Sequence, residues 1–163
     1  MTDALYPGTF DPITRGHLDI LERAVEVFGT VTVAVSEDPP KTTLLTARER
    51  QVLVRRAVEN IDNVSVSTFE GLLVDYARQS GAGVLIRGLR QSGDFEHEYQ
   101  MAVANRKMYP ELETVCLFTA SRFNFISSTI VREIYQHGGD LSAFVPESVE
   151  KILRQRRETG KID

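Results

Sequence analysis

Thr9, Gly16 and His17 stand just after the first apolar segment of the chain, inside Tyr6-Pro7-Gly8-Thr9-Phe10-Asp11-Pro12-Ile13-Thr14-Arg15-Gly16-His17. Leu18, Leu21, Val25 and Phe28 then recur at helical spacing, so a helix begins near His17. Prolines and glycines between the two make a tight strand-to-helix loop. A helix start carries unpaired backbone N–H groups and partial positive charge, which suits a phosphate. Gly8 lets the backbone approach a ligand, and Thr9 adds a hydroxyl. Gly16 lets the helix start pack closely, and His17 places an imidazole in the first turn. This is neither a G-x-G-x-x-G fingerprint nor a G-x-x-x-x-G-K-[ST] loop. It points to phosphate held with an imidazole in place of a glycine cradle. A plain turn followed by a capping histidine is the alternative.

The other candidates also follow strands. Lys41 sits in Pro39-Pro40-Lys41 and Leu73 comes after a third strand. Arg87-Gly88-Leu89-Arg90 directly follows an apolar run, and Ser127-Ser128-Thr129 opens a late helix. Cations, hydroxyls and helix starts together suit a polyphosphate. Lys41 could equally be a solvated loop lysine, and the three hydroxyls no more than a helix cap. Asp94, Glu96 and Glu98 fit a solvated helix start, where acids are favoured. Arg87 ends an apolar strand, so it needs a partner close by, and Gly88 beside it leaves room for a ligand. His17, His97 and His137 lack metal-ligand spacing, and no nucleophile elbow or Cys/His pair is evident. Direct transfer on phosphate, by positioning and charge stabilisation, is what remains.

These residues need elements to position them. Strands are expected at Ala4–Tyr6, Thr30–Val35, Val64–Phe69, Val84–Ile86 and Thr114–Thr119. Helices are expected from His17 to Phe28 with Gly29 closing, after the capping box Thr46-Ala47-Arg48-Glu49, and over Leu72–Gln79 with Gly81 closing. Further helices start at Ser92, with Ser92 as cap, and at Ser127–Thr129, the latter ending near His137. A last one has Pro146 at its first position. The alternation predicts an α/β fold: a doubly wound, Rossmann-like parallel five-stranded sheet with helices on both faces. In such a sheet the loops after the strands meet at the carboxyl edge, which makes one site of separate positions.

The 163 residues favour one domain spanning 1–163. The net charge of -4 weighs against general nucleic-acid binding. Cys116 is the single cysteine and reads as a buried structural residue in a reducing compartment. No secretory leader and no membrane-spanning run is expected, which points to the cytoplasm.

Taken together, Tyr6-Pro7-Gly8-Thr9-Phe10-Asp11-Pro12, Gly16-His17, Pro40-Lys41, Leu85-Ile86-Arg87-Gly88-Leu89-Arg90, Asp94-Phe95-Glu96-His97-Glu98, Asn105, Pro110-Glu111-Leu112-Glu113, Phe125-Ile126-Ser127-Ser128 and Gly139-Asp140 resemble the phosphopantetheine adenylyltransferases over nearly the whole chain. The Thr-x-x-Gly-His type of core marks the wider nucleotidyltransferase superfamily, and the Arg-Gly-Leu-Arg and Asp-Phe-Glu-x-Glu segments are more particular. His97 stands where the family commonly has tyrosine, and Thr129 where it has serine. The resemblance implies transfer of adenylyl from ATP to 4'-phosphopantetheine, giving dephospho-CoA and pyrophosphate, with magnesium. It implies that Lys41 and Arg87 hold the acceptor phosphate with Thr9, that Leu73 lines the pantetheine arm, and that His17 donates to the α-phosphate. It places ATP against Thr9, Phe10, His17, Gly88, Leu89, Arg90, Glu98 and the run Phe123, Asn124, Phe125, Ile126, Ser127, Ser128, Thr129. A homohexamer and feedback by CoA are further implications. The rivals are an adenylyl- or cytidylyltransferase for another acceptor such as nicotinamide mononucleotide, a non-catalytic nucleotide-binding regulator, and a nucleic-acid module using the basic tail Arg154–Arg157. His17's protonation state stays open at this point, because a helix start opposes its charge and a bound phosphate favours it.

Overall fold

The computed structural model describes residues 3–162. Five strands, β1 (Ala4–Gly8), β2 (Val31–Ser36), β3 (Val64–Phe69), β4 (Val84–Leu89) and β5 (Glu113–Phe118), form one all-parallel sheet in the order β3-β2-β1-β4-β5. The helices are α1 (Arg15–Phe28), α2 (Ala47–Val58), α3 (Leu73–Ser80), α4 (Ser92–Met108), α5 (Ser128–Gln136) and α6 (Glu147–Thr159). A short 3-10 turn at Ser121–Phe123 lies in the expected loop after β5.

Side chains of a strand alternate between faces, and the two cores follow that period. Tyr6, Val33, Val35 and Ile86 pack on one face against Ile20, Leu21 and Ala24 of α1, Leu53 and Val54 of α2, Val131 of α5 and Val149 and Leu153 of α6. Leu5 and Leu85 point the other way, onto Val74 and Ala77 of α3 and onto Leu112. Both faces are therefore covered, as a parallel sheet requires.

The topology opens the sheet at one place. Strand order reverses between β1 and β4, and these neighbours pair only through Ala4↔Val84 and Leu5↔Leu85. Beyond that the carboxyl ends diverge, which forms the ligand crevice expected at a topological switch point. Pro7 occupies a central strand, where the missing N–H would normally cost a ladder bond. It lies past the last β1–β4 pair, and its carbonyl instead accepts from Arg87 Nη1 at 3.1 Å.

Several boundaries differ from the sequence reading. Helix α1 starts at Arg15, two residues before His17, because Thr14 caps it. Strand β4 continues to Leu89, so Arg87 lies within the strand. Gln91, not Ser92, is the cap of α4, and Pro146 is the cap of α6 instead of its first residue. The capping box at Thr46 and Glu49 forms as read, with bonds of 2.8 and 3.2 Å.

Candidate active site

A cleft of about 430 Å³ opens at the β1/β4 switch point. Thr9, Phe10, His17, Lys41, Leu73, Arg87, Gly88, Arg90, Glu98, Ile126, Ser127, Ser128 and Thr129 all line it. Leu89 does not, because its side chain alternates into the buried interior. Phe123, Asn124 and Phe125 lie outside the lining as well. Phe123 packs beside the main core, while Phe125 is exposed and meets Phe144 edge-on at 5.8 Å.

His17 is the third residue of α1. Its Nδ1 accepts the Thr14 backbone N–H at 3.0 Å, and the Thr14 hydroxyl accepts the His17 N–H at 3.3 Å. This is a reciprocal capping box in which imidazole fills the place usually held by Glu or Gln. With Nδ1 accepting, the ring proton sits on Nε2. Burial, and after it the charges of Arg90, Arg87 and Lys41, together lower the His17 pKa to about 4. Near neutral pH the imidazole is therefore an uncharged Nε2–H donor. Phe10 meets the ring edge-on at 5.1 Å and Tyr6 packs behind at 6.5 Å, so its orientation is fixed. Burial pushes the Tyr6 hydroxyl up, so it stays protonated.

Arg87 has the partner its position demanded. Nε and Nη2 donate to the two Glu98 oxygens at 2.6 and 2.7 Å, a bidentate pair. Glu98 is nearly buried, so the solvated-helix reading fails for it. Glu98 and the Arg87 charge hold each other: the carboxylate offsets the desolvation of the guanidinium, whose pKa lies above its ordinary value. Arg87 also donates from Nη1 to Pro7, so three of its five N–H groups are used and two remain for a ligand. Asp94 accepts the Arg90 N–H at 2.9 Å, and Arg90 Nη1 donates to the Ile126 carbonyl at 3.0 Å. Arg90 thereby joins the β4 end to the segment before α5.

The three hydroxyls divide their work. Ser127 caps α5 by accepting from Ile130 N at 3.2 Å. Ser128 donates to the Pro12 carbonyl at 2.9 Å, and Thr129 accepts from Arg132 Nη2 at 3.1 Å. Only one of them is a cap. The start of α5 is thus fastened to the Thr9 turn with its positive end at the cleft.

Gly8 and Gly88 both line the cleft and also pack closely within the chain. A Cβ on Gly8 would lie 2.9 Å from the Phe10 ring, and one on Gly88 3.1 Å from Ile20. At Gly8 something would have to shift to admit a side chain, while at Gly88 Ile20 would have to give by a few tenths of an ångström. At Gly16 a Cβ would make only ordinary contacts, the nearest at 3.6 Å, so close packing of the helix start is not what glycine supplies there.

Sequence reasoning missed Arg132, Asp11, Tyr6 and Thr14. Arg132 follows Thr129 by three residues on α5 and so shares its face, a signal that was available. Asp11 accepts from Leu44 N at 2.8 Å and Leu45 N at 2.9 Å, partners that only the fold brings near.

Among the described residues no cluster of three or more His, Cys, Asp or Glu could hold a metal ion. The carboxylates of the cleft, Asp11, Asp94 and Glu98, already face backbone N–H groups or arginines. The residues present do not form a magnesium cage.

A doubly wound sheet with a histidine at the first helix start and arginines at the switch point defines the nucleotidyltransferase class. The family described as Cytidylyltransferase-like matches residues 5–134. The chain is 50% identical over 149 residues to the phosphopantetheine adenylyltransferase of Heliobacterium modesticaldum, covering 91% of this chain and 89% of that protein. It is 49% identical to that of Moorella thermoacetica (96% and 98% covered) and 45% identical to that of Thermotoga neapolitana (97% and 98%). A structure titled as a putative nicotinate-nucleotide adenylyltransferase from Vibrio parahaemolyticus superposes with a TM-score of 0.72 at 17% identity, over 94% of this chain and 99% of that one. At that identity the likeness concerns the fold. The chain belongs to the cytidylyltransferase-like family and, within it, to the phosphopantetheine adenylyltransferases.

Proposed function

We infer that the chain transfers the adenylyl group of ATP to 4'-phosphopantetheine, forming dephospho-CoA and pyrophosphate in coenzyme A biosynthesis. Near-full-length identity of 45–50% to proteins of that name carries the reading. The convergence of His17, Lys41, Arg87 and Thr9 on one cleft supports it. The low-identity structural likeness gives no reason to prefer a nicotinate-type acceptor.

The acceptor phosphate has a second pKa of about 6, so at neutral pH it is largely a dianion and needs no base. One of its oxygens attacks the α-phosphorus, the bond to the bridging oxygen on the far side breaks, and pyrophosphate leaves with that electron pair. The main obstacle is repulsion between two anions. Lys41, Arg87 and Thr9 hold the acceptor phosphate, while Leu73 lines the pantetheine arm. His17 donates from Nε2 to an α-phosphate oxygen as charge grows there. Its neutral state keeps it from trapping the ground-state phosphate as strongly as an imidazolium would. ATP is assigned to Thr9, Phe10, His17, Gly88, Leu89, Arg90, Glu98 and the segment Phe123–Thr129. Leu89 and Phe123–Phe125 serve through backbone and segment position, since their side chains do not face the cleft. The start of α5 and Arg90 receive the triphosphate. Magnesium is assigned to the incoming ATP and not to a protein cage.

The exposed apolar side chains Phe95, Tyr99, Met101, Val103 and Met108 of α4, with Phe118, support self-association as a homohexamer. Light scattering on the purified protein tests that assembly. Cytoplasmic location accords with the lack, among the described residues, of any helix long and apolar enough to cross a membrane. CoA is proposed as a feedback ligand of the acceptor side. Mass spectrometry of the product from ATP, magnesium and 4'-phosphopantetheine tests the reading. Dephospho-CoA is expected, and turnover confined to another acceptor overturns it.

A further inference from the structure

The loop bearing Lys41 leaves β2 at Ser36 and meets regular structure again at Thr46. Lys41 at its tip is exposed and has no side-chain partner among the described residues. Both feet of the loop, by contrast, are held by buried charged groups that the reaction does not use.

Arg50 on α2 is 1% exposed, and no carboxylate lies within ion-pair distance of it among the described residues. Its guanidinium is satisfied by carbonyls. Nη1 donates to Thr9 O at 2.8 Å and to Ser36 O at 2.6 Å, while Nε donates to Leu45 O at 3.4 Å. These carbonyls belong to the turn after β1, the first foot of the Lys41 loop and its second foot. Burying an arginine without a directly paired carboxylate is costly: the charges of Asp11 and Glu37 offset only part of the desolvation, which holds the Arg50 pKa below its ordinary value. A planar fork can reach carbonyls in several directions at once, which the point charge of a lysine cannot. Asp11 makes the complementary clamp, accepting from Leu44 N and Leu45 N on the second foot.

We propose that Arg50 is a positioning residue for the acceptor phosphate: it fixes the spacing between the Thr9 turn and the Lys41 loop, so that hydroxyl and ammonium meet one phosphate. This rests on reading Thr9 and Lys41 as acceptor-phosphate ligands.

The test varies both substrates with unaltered protein and the Arg50→Lys, Lys41→Ala and doubly substituted variants. Arg50→Lys keeps the charge but leaves carbonyls unmatched. It is expected to raise the KM for 4'-phosphopantetheine by about tenfold, the equivalent of one lost hydrogen bond to a charged group. The KM for ATP is expected to rise less, because Thr9 is the only residue assigned to ATP among those that Arg50 holds. Lys41→Ala should cost a smaller factor in the Arg50→Lys background than alone, since one residue acts through the other. Equal rises in both KM values, or the same Lys41→Ala factor in both backgrounds, overturn the proposal. Should Arg50→Lys not fold, Asp11→Asn, which loosens the same foot of the loop, is expected to raise the KM for 4'-phosphopantetheine more than that for ATP. If neither variant yields folded protein, both residues serve the fold alone and the proposal fails. No turnover by the unaltered protein fails the substrate reading instead, a result distinct from all of these.

Discussion

Replacing Arg87 by Met separates what this residue does for the fold from what it does for the substrate. The pair with Glu98 comprises two short charge-assisted bonds, and the side chains are 30% and 11% exposed. Removing one partner of a mostly buried pair costs about 3–5 kcal/mol, because the other charge is left without compensation. Exposure at the Arg87 end puts the expected loss near the lower figure. For a chain of this length that is a fall in Tm of roughly 6–12 °C. In Arg87→Met the lone Glu98 carboxylate would have its folded pKa raised. The penalty is then small below the ordinary glutamate pKa and grows as pH rises through the folded value. Adding Glu98→Gln removes the orphan charge. The double variant should recover most of the lost stability and lose the pH dependence, while its KM for the acceptor stays raised by about a hundredfold. Urea unfolding at pH 5 and pH 7.5, with steady-state kinetics on the same samples, reads both quantities. The reasoning is refuted if Arg87→Met is as stable as the unaltered protein, or if the double variant regains acceptor affinity.

His17→Ala should reduce kcat by about 10²–10³ with little change in ATP affinity, the usual cost of one donor to a developing oxyanion; equal losses in both would contradict the donor role. His17→Gln can rebuild the capping box with Thr14, so it should keep thermal stability near that of the unaltered protein while sharing the loss of kcat. With His17 depressed to about 4, kcat should show no inflection from the imidazole between about pH 6 and 8. The kcat/KM for the acceptor should fall below about pH 6, where its phosphate gains a proton. The same depression makes the folded state bind fewer protons than the unfolded one. Stability should therefore decline as pH falls from about 6.5 towards about 4, and His17→Gln should flatten that slope in denaturant titrations.

The parallel α/β architecture was legible because its signals are local: period-2 valine runs, a Thr46/Glu49 capping box, glycines closing helices. The gathering of Thr9, His17, Lys41, Arg87 and Ser127–Thr129 followed from topology alone, since strand ends share one edge. What escaped depended on partners distant in sequence. Arg87 read as the end of its apolar strand; β4 runs on to Leu89, with Arg87 paired to Glu98 eleven residues on. Gly88 lines the cleft, and a Cβ there would also come within 3.1 Å of Ile20, a contact that only the fold reveals. The Thr14 cap was hidden because histidine is not the usual third residue of a capping box, and that cap moved the helix start by two residues. Arg50 gave no signal at all: on its helix it reads as one more exposed arginine, and only the fold brings it to the carbonyls of Thr9, Ser36, Glu37 and Leu45.

Pyrophosphate release from ATP and magnesium, with 4'-phosphopantetheine, nicotinamide mononucleotide and dephosphorylated pantetheine offered in parallel, tests the central claim most directly. Release with 4'-phosphopantetheine alone is the expected result and identifies the acceptor phosphate as the attacking group. Release with nicotinamide mononucleotide alone, or silence with all three despite ATP binding, would contradict it.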